Sequence, residues 1–385
     1  MEDEEMGALA QISEAARGIE DEYEHKAILY IGSESYDAPT ITLLRGLHSL
    51  GFTICTIEKP NINSWNIGTV VPCTSIPQFD FVLSNLHWGT RWSHYDRFGL
   101  HGAPNVLVDG DDNHWGITWR EKYQKYQQRY AGATQEQKDR HFATRRWIEP
   151  LGSYEPDIVF AGQNQPGHPT HYLPFGIMPE YTEMTARCER TLYFLHVMGA
   201  GPYRQDAHKM LTGHEWKSLE FIGAPARHSV RGVSVESRVI RGGQTWPEWV
   251  PQQGRTEKNI HSWHRWSVDT AYYRALAGAS VLIHPGISRH QWESKRQWEA
   301  WACGCVVLMR KPPLDTSDYP LDELVPGPLL TFTNDLLWHC EMLASISSKR
   351  MEDMRQHIMN VACTYFTPVP IARYALHKII RMKGA

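Results

Sequence analysis

The sequence has little that points to a membrane, a disulfide framework or a familiar nucleotide-binding loop. Its apolar runs, such as Cys305 to Met309, fall far short of the ~20 residues that cross a bilayer, so no transmembrane helix is expected. The opening MEDEEMGALAQ has neither the basic flank nor the apolar block of a secretory signal, and a cytoplasmic location is expected. Charge of one sign is not in excess: 39 Lys and Arg face 43 Asp and Glu, a formal balance of −4. Nothing therefore draws the whole chain to nucleic acid or anionic lipid, and any polyanion site must be local. Seven cysteines, an odd number with one C-x-C and no C-x-x-C, read as reduced and mostly buried thiols. The absence of G-x-G-x-x-G argues against a nicotinamide dehydrogenase, and the absence of G-x-x-x-x-G-K-[ST] removes the main support for a kinase or ATPase. No repeat of 20 to 50 residues and no low-complexity block is present.

What is present is globular. The 385 residues, 42% hydrophobic, 21% charged and 11% aromatic, suffice for two to three domains with cores of their own. The 15 tryptophans are unusual, and Trp246 with Trp249, Trp263 with Trp266, and Trp292 with Trp298 and Trp301 come close together. Such rings stack on sugars or bases, but their commonest use is to anchor a core, which is the reading favoured for each.

Residues 1–24 are acidic and read as a tail or a loosely attached helix, with order beginning at Ala27. Ala27 to Ile31 is an apolar run ending at Gly32. Thr40 to Leu50 sets Leu43, Leu44, Leu47 and Leu50 on one helical face that Gly51 stops, and Phe52 to Ile57 reads as a second strand. Such a strand, helix, strand unit builds parallel sheets. Short strands are expected at Phe79 to Leu83, Val106 to Val108, Ile158 to Ala161 and His171 to Phe175. The pattern restarts near Arg190. Thr191 to Val197 leads into Gly199, Ala200, Gly201 and a helix from Tyr203, with further strands at Leu219 to Ile222, Val239 to Ile240, Ser280 to His284 and Cys305 to Met309. Helices at Val268 to Leu276 and Ser294 to Ala302 lie between the later strands. The fold class expected is α/β, two Rossmann-like units divided near the polar stretch 178–190.

The most informative stretch runs from Ser280 to Pro313. A strand ends at His284, a loop with Pro285 and Gly286 follows, a helix starts at Ser294, and Gly304 closes it. Ser294 and Gln297 make an S-x-x-Q capping box. A helix start presents unpaired N–H groups and a partial positive charge, and Lys295 and Arg296 add full charges beside it, which makes a seat for a diphosphate. Glu299, one turn further in, is placed to accept hydrogen bonds from vicinal hydroxyls such as those of a ribose. The same residues also fit an ordinary surface helix, its charges solvated and Trp298 and Trp301 in the core.

The segment Arg296-Gln297-Trp298-Glu299-Ala300-Trp301-Ala302-Cys303-Gly304 resembles the R-x-[FW]-E-A-x-A-x-G signature of nucleotide-sugar glycosyltransferases with the two-domain GT-B fold, especially the CgeB-like group and the wider family 4 enzymes. In pattern the resemblance covers most of residues 190–383. It implies an acceptor-side domain over 25–183, a donor-binding domain over 184–368 across a cleft, and a helix in 369–385 that crosses back to the first domain. It implies that Glu299 binds the nucleotide ribose and that Ser294, Lys295 and Arg296 hold the diphosphate. The loop of Gly199 and Gly201, with Arg204 and Lys209 at R-x4-K spacing, would neutralise the leaving diphosphate. His284 and Gly286 complete the donor set. A nucleoside diphosphate gains negative charge as the glycosidic bond breaks, and preorganised cations lower that barrier. The co-substrate implied is a nucleotide sugar, a UDP-sugar foremost, with no further cofactor and no metal.

The chain also departs from the pattern. Family 4 enzymes usually carry two glutamates eight positions apart, and eight before Glu299 stands Gln291, with Glu293 the nearest acid. In the first domain, the strand Asn105 to Val108 runs into Asp109, Gly110, Asp111, Asp112, Asn113 and His114. Asp109, Asp111 or His114 is a candidate general base on an acceptor hydroxyl, or orients the sugar. The same cluster also suits an Asx-rich turn or an oxygen-ligated divalent metal. Gly32, Ser33, Tyr36 and Asp37, at the carboxyl end of the first strand, are candidate acceptor contacts. Two other function classes remain: a metal-dependent hydrolase using the Asp-rich loop, and a non-catalytic nucleotide or sugar binder of the same fold.

Between Thr118 and Trp147 eight basic residues, Arg145 and Arg146 among them, face three acidic ones, a local balance of +5 with six aromatic rings interleaved. A solvated helical pair is one reading. The other is a groove for a polyanionic acceptor, nucleic acid or an acidic glycan, with cations on phosphates and rings on bases or sugars.

Overall fold

The computed structural model describes residues 14, 16–32, 38–57, 67–73, 78–85, 102–109, 131–134, 136–137, 156–161, 171–178, 192–197, 202–212, 219–222, 238–240, 276–286, 295–311, 331–332 and 334–383. In the first half lie β1 (Ala27–Ile31), α1 (Ala38–Ser49), β2 (Thr53–Thr56), β3 (Val70–Pro72), β4 (Phe81–Asn85), β5 (Asn105–Asp109), β6 (Ile158–Ala161) and β7 (His171–Tyr172). The second half holds β8 (Leu192–Val197), α2 (Pro202–Thr212), β9 (Leu219–Ile222), β10 (Arg238–Ile240), β11 (Ala279–His284), α3 (Lys295–Ala302), β12 (Val306–Arg310) and β13 (Thr331–Phe332). Three helices follow: α4 (Leu336–Ser345), α5 (Ser348–Tyr365) and α6 (Pro368–Lys383).

The strands form two sheets, one ordered β3-β2-β1-β4-β5-β6-β7 and parallel throughout, the other ordered β10-β9-β8-β11-β12-β13. Each sheet grows outward from its first strand in one direction and then reverses, the doubly wound order. The α/β expectation of two Rossmann-like sheets holds, with one exception: β10 runs antiparallel to β9 at the edge of the second sheet. Strands β1, β4 and β5 are buried along their whole length, which is why they read as unbroken apolar runs and show no alternation. The even-numbered residues Ile28 and Tyr30 join the main core with α1 and α6, while Leu29 and Ile31 join a smaller cluster with Cys55, Val82 and Leu107 on the opposite face.

The expected crossing of the last helix is present. α6 lies on α1, so close at Gly46 that a Cβ there would stand 2.0 Å from the Pro368 carbonyl oxygen. The Phe366 carbonyl, at the turn between α5 and α6, accepts from the Ile177 amide at 2.7 Å, and Thr42 of α1 donates to the Phe175 carbonyl at 2.6 Å. Segment 175–177 is thus laced to both helices, and Gly176 takes φ 77 where Thr42 and Ile371 leave no room for a side chain.

Several expected boundaries move. The acidic tail is tied down well before Ala27. Ala16, Ile19 and Tyr23 are buried at helical spacing, Tyr23 donates to the Leu376 carbonyl at 2.8 Å, and Glu20 pairs with Arg373 at 2.7 Å. A narrow apolar stripe among many acids hid this contact. The strand expected at Phe79 to Leu83 starts two residues later, because the Asp80 carboxylate accepts from the Ala27 and His25 amides and caps the sheet there. The strand expected at His171 to Phe175 ends at Tyr172. Strands β3 and β13 are short edge pieces without a readable period, and Pro72 is tolerated in β3 because an edge strand has a free side. No helix among the described residues is long and apolar enough to cross a membrane.

Candidate functional site

In an open parallel sheet the strand order reverses between two neighbouring strands, and loops leaving their carboxyl ends diverge to open a crevice. In the second sheet the order reverses between β8 and β11, which pair in register from Ala279–Leu192 to Ile283–His196. The helices that follow them, α2 and α3, begin at that edge, so both present the positive ends of their dipoles there.

Helix α3 is held from its far end. Gly304 adopts φ 68, its amide bonds the Trp301 carbonyl at 3.0 Å, and the Cys305 amide bonds the Ala300 carbonyl at 2.8 Å, a Schellman closure that only a left-handed residue completes easily. Arg355 of α5, itself buried, donates from Nε to the Gly304 carbonyl at 2.7 Å and pairs with Glu352. Trp298 and Trp301 are fully buried, their rings edge-on at 4.8 Å, and Trp298 packs on Phe366 at 4.7 Å. The core reading of these two tryptophans is therefore the observed one. Between them Glu299 is 1% exposed, and Gln297 is buried as well. A carboxylate inside such a helix is held in one place by its neighbours, which suits a group meant to meet hydroxyls at fixed positions. At the opening turn the side-chain atom Nη1 of Arg296 is buried and has no hydrogen-bond partner among the described residues. Lys295 opens the helix, and Ser294, its expected cap, lies outside the described residues.

On α2 the structure separates the expected pair. Arg204 is 6% exposed, whereas the Lys209 side chain is 77% exposed and stands 3.8 Å from Asp206. Five residues apart, the two are turned roughly 140° from each other around the axis, so the R-x4-K spacing cannot put both on one face. His284 is buried at the end of β11, and Gly286 takes φ 74, a turn that favours glycine. Two residues that sequence reasoning passed over meet at the same edge. The Arg310 guanidinium, at the end of β12, lies 3.6 Å from the centroid of the Tyr203 ring in the first turn of α2. Nothing in the sequence links positions 107 residues apart.

At the carboxyl edge of the first sheet Asp109 is 1% exposed, and Asn85 on the neighbouring strand is fully buried. Asn85 pairs in register with Val108, so it projects to the face opposite Asp109. Asn85 was missed because the strand was read as ending at Leu83. Gly32 follows β1 with the Tyr30 side chain folded against it, the hydroxyl oxygen 2.0 Å from where a Cβ would stand. The candidates Ser33, Tyr36, Asp37, Asp111, His114, Arg145, Arg146, Gly199 and Gly201 lie outside the described residues. In the basic stretch the described pieces include Thr134 and Gln137, which cap each other reciprocally at 2.9 and 3.2 Å. Among the described residues no group of three or more His, Cys, Asp or Glu side chains is arranged to hold a metal ion.

No known protein-family profile matches the chain, and no curated protein matches it in sequence. Solved structures do. A glycosyltransferase from Rickettsia africae ESF-5 is 10% identical, aligned over 93% of this chain and 98% of its own, with a TM-score of 0.51. HepE from Anabaena in complex with UDP-glucose is 10% identical over 92% and 99%, with a TM-score of 0.48. The calicheamicin glycosyltransferase CalG4 is 12% identical over 93% and 98%, with a TM-score of 0.37. At 10% identity the likeness to the Rickettsia protein speaks for architecture alone, and together with the two doubly wound sheets and the returning α6 it gives this chain the GT-B fold.

Proposed function

We propose that this chain is a glycosyltransferase of the CgeB-like or family 4 type, moving a hexose or pentose from a nucleoside diphosphate sugar, a UDP-sugar foremost, to an acceptor hydroxyl. The observation that carries the reading is the start of α3. Arg296 there has a buried cationic N–H group with no partner among the described residues, at a helix N-terminus on the switch-point edge, one turn from the buried Glu299. A desolvated cationic donor left unpaired is costly, and an anionic ligand removes that cost. That the Rickettsia protein of the same fold is a glycosyltransferase agrees with this reading.

On this reading the diphosphate sits against the amides of α3 with Arg296, with Arg204 adding charge from α2. Glu299 accepts from the ribose hydroxyls. As the bond between the anomeric carbon and the phosphate oxygen breaks, the electron pair stays on the diphosphate, where fixed cations and helix dipoles stabilise it. The acceptor hydroxyl enters from the first sheet and gives its proton to a base drawn from Asp109, Asp111 and His114. The acceptor-side unit spans 25–183 and the donor unit 184–368. The acceptor is a polyanion, nucleic acid or acidic glycan, held by the stretch 118–147. Gln291 in place of an acid eight residues before Glu299 favours a second reading, a binder that kept the site and lost the chemistry.

Nucleotide sugars tested for hydrolysis and for thermal stabilisation separate the two. The enzyme releases nucleoside diphosphate with divalent metal removed. The binder is stabilised by UDP or GDP without turnover. Glu299→Ala is expected to weaken nucleotide binding by about 1.5–3 kcal/mol, the worth of hydrogen bonds to a charged group. A folded mutant with unchanged affinity would remove Glu299 from the ribose site.

A further inference from the structure

Arg310 is the last residue of β12, a strand buried up to Met309. Its guanidinium stacks on Tyr203, which belongs to the turn that opens α2 after β8. In the sheet β8 and β12 are not neighbours, for β11 runs between them. The contact therefore reaches over about 10 Å, two strand spacings, past the carboxyl end of β11 where His284 and Gly286 lie. It spans the carboxyl edge of the sheet where the strand order reverses.

A ring face satisfies the charge of a guanidinium but none of its in-plane N–H donors. Among the described residues no carboxylate and no carbonyl pairs with the Arg310 side chain, and its stacking on Tyr203 is the one interaction it makes. The nearby acid of α2, Asp206, faces Lys209. Arg310 is half-buried, Arg204 follows its partner Tyr203 in the first turn of α2, and Arg296 lies in the first turn of α3, so three arginines belong to elements that start or end at one edge of the sheet. Stacking also fixes the plane of the fork, and a planar fork held in place matches two oxygens of one phosphate in a way that a lysine ammonium does not.

We propose that Arg310 is a phosphate-binding residue of the donor site, with Tyr203 as the positioning residue that holds its guanidinium over the crevice. The inference rests on the nucleotide-sugar reading above and extends it: the diphosphate is gripped from β12 as well as from α3. Arg310 binds the phosphate that leaves, and Tyr203 sets its angle.

The test is calorimetric titration of the full chain with UDP, GDP and ADP and with uridine, guanosine and adenosine. Arg310→Gln is expected to lower affinity for the preferred diphosphate by about tenfold or more while leaving that for its nucleoside unchanged. Arg310→Lys is expected to restore little, because it keeps the charge and loses the fork. Tyr203→Leu should fall with Arg310→Gln, and Tyr203→Phe, which keeps the ring, should retain most of the affinity. If wild type binds a diphosphate and Arg310→Gln binds it equally, the role of Arg310 falls and the donor reading stands. If diphosphate and nucleoside weaken together, Arg310 shapes the pocket and does not read phosphate. If wild type binds none of the six compounds, both the donor reading and this inference fall. Should Arg310→Gln fail to melt like wild type, the lysine and Tyr203 variants carry the comparison.

Discussion

Replacing Gly46 with Ala tests the return of α6 onto α1, because the two outcomes have opposite signs. On an isolated helix the change stabilises by up to about 1 kcal/mol, the difference in helix propensity. Here the added Cβ would stand 2.0 Å from the Pro368 carbonyl oxygen and 2.6 Å from the Ala372 Cβ. Reaching ordinary contact at 3.4 Å requires α6 to withdraw by about 1.4 Å, and Pro368 is backbone at a helix start, with no rotamer to turn aside. The withdrawal strains the Ile177 to Phe366 bond and the Tyr23 to Leu376 bond, each worth about 1 kcal/mol. It also unpacks Ile371 and Ala375, both fully buried. Overpacking of this kind costs about 1–3 kcal/mol, and with the strained bonds added and the propensity gain subtracted the net is a loss of about 2 kcal/mol. Urea unfolding followed by tryptophan fluorescence reads it directly. Gly132→Ala is the control, since nothing lies within 4 Å of its Cβ, and it should stay within about 0.5 kcal/mol of wild type. A Gly46→Ala protein as stable as wild type, or more so, would refute the packing of α6 on α1.

Burial alone would raise the Glu20 carboxyl, but its hydrogen bond and charge pairing with Arg373 outweigh that and hold it below the ordinary carboxylate range. A depressed folded pKa means stability present at neutral pH and lost as pH falls through it. Glu20→Gln should therefore cost about 0.5–1 kcal/mol near pH 7 and progressively less as pH falls through the lowered carboxyl pKa, and a pH-independent difference in urea midpoint would contradict the pairing. Burial pushes the Cys55 thiol up to about 11 and the Cys340 thiol up to about 12, so at pH 8 an aromatic disulfide reagent should label both only after unfolding. Rapid modification of either in the native protein would contradict its burial. Removing the Arg355 side chain as Arg355→Leu should destabilise by about 1.5–3 kcal/mol, the worth of a charged hydrogen bond to the end of α3, and a neutral result in urea would show that Gly304 needs no such clamp. Lys209→Ala should leave nucleoside diphosphate affinity within about twofold because the side chain is exposed and faces Asp206, and a loss as large as that from Arg204→Ala would place both on the phosphates.

The central strands were legible because strands buried on both faces are apolar through their middle, as Ala27–Ile31, Ile158–Ala161 and residues 281–283 of β11 are. Helix α3 was legible for a different reason: a charged start, two tryptophans and a closing glycine each state a local rule of helix geometry. The edge strands Val70–Pro72 and Thr331–Phe332 escaped because two or three residues carry no period, and the acidic start escaped because its three buried residues are spaced among charges.

Local chemistry in the sequence thus determined the α/β class, the restart near Arg190, and the residues Arg296 and Glu299 of the candidate donor helix. Which of the cations share a face, however, depends on how helices turn and what they pack against, and that buried Arg204 while leaving Lys209 in solvent. The meeting of Arg310 with Tyr203, the register that puts Asn85 and Asp109 on opposite faces, and the seat of α6 on Gly46 join residues far apart in the chain. Such contacts exist only after the sheets have chosen their strand order, because proximity between distant residues is a property of the packed chain and not of any window along it.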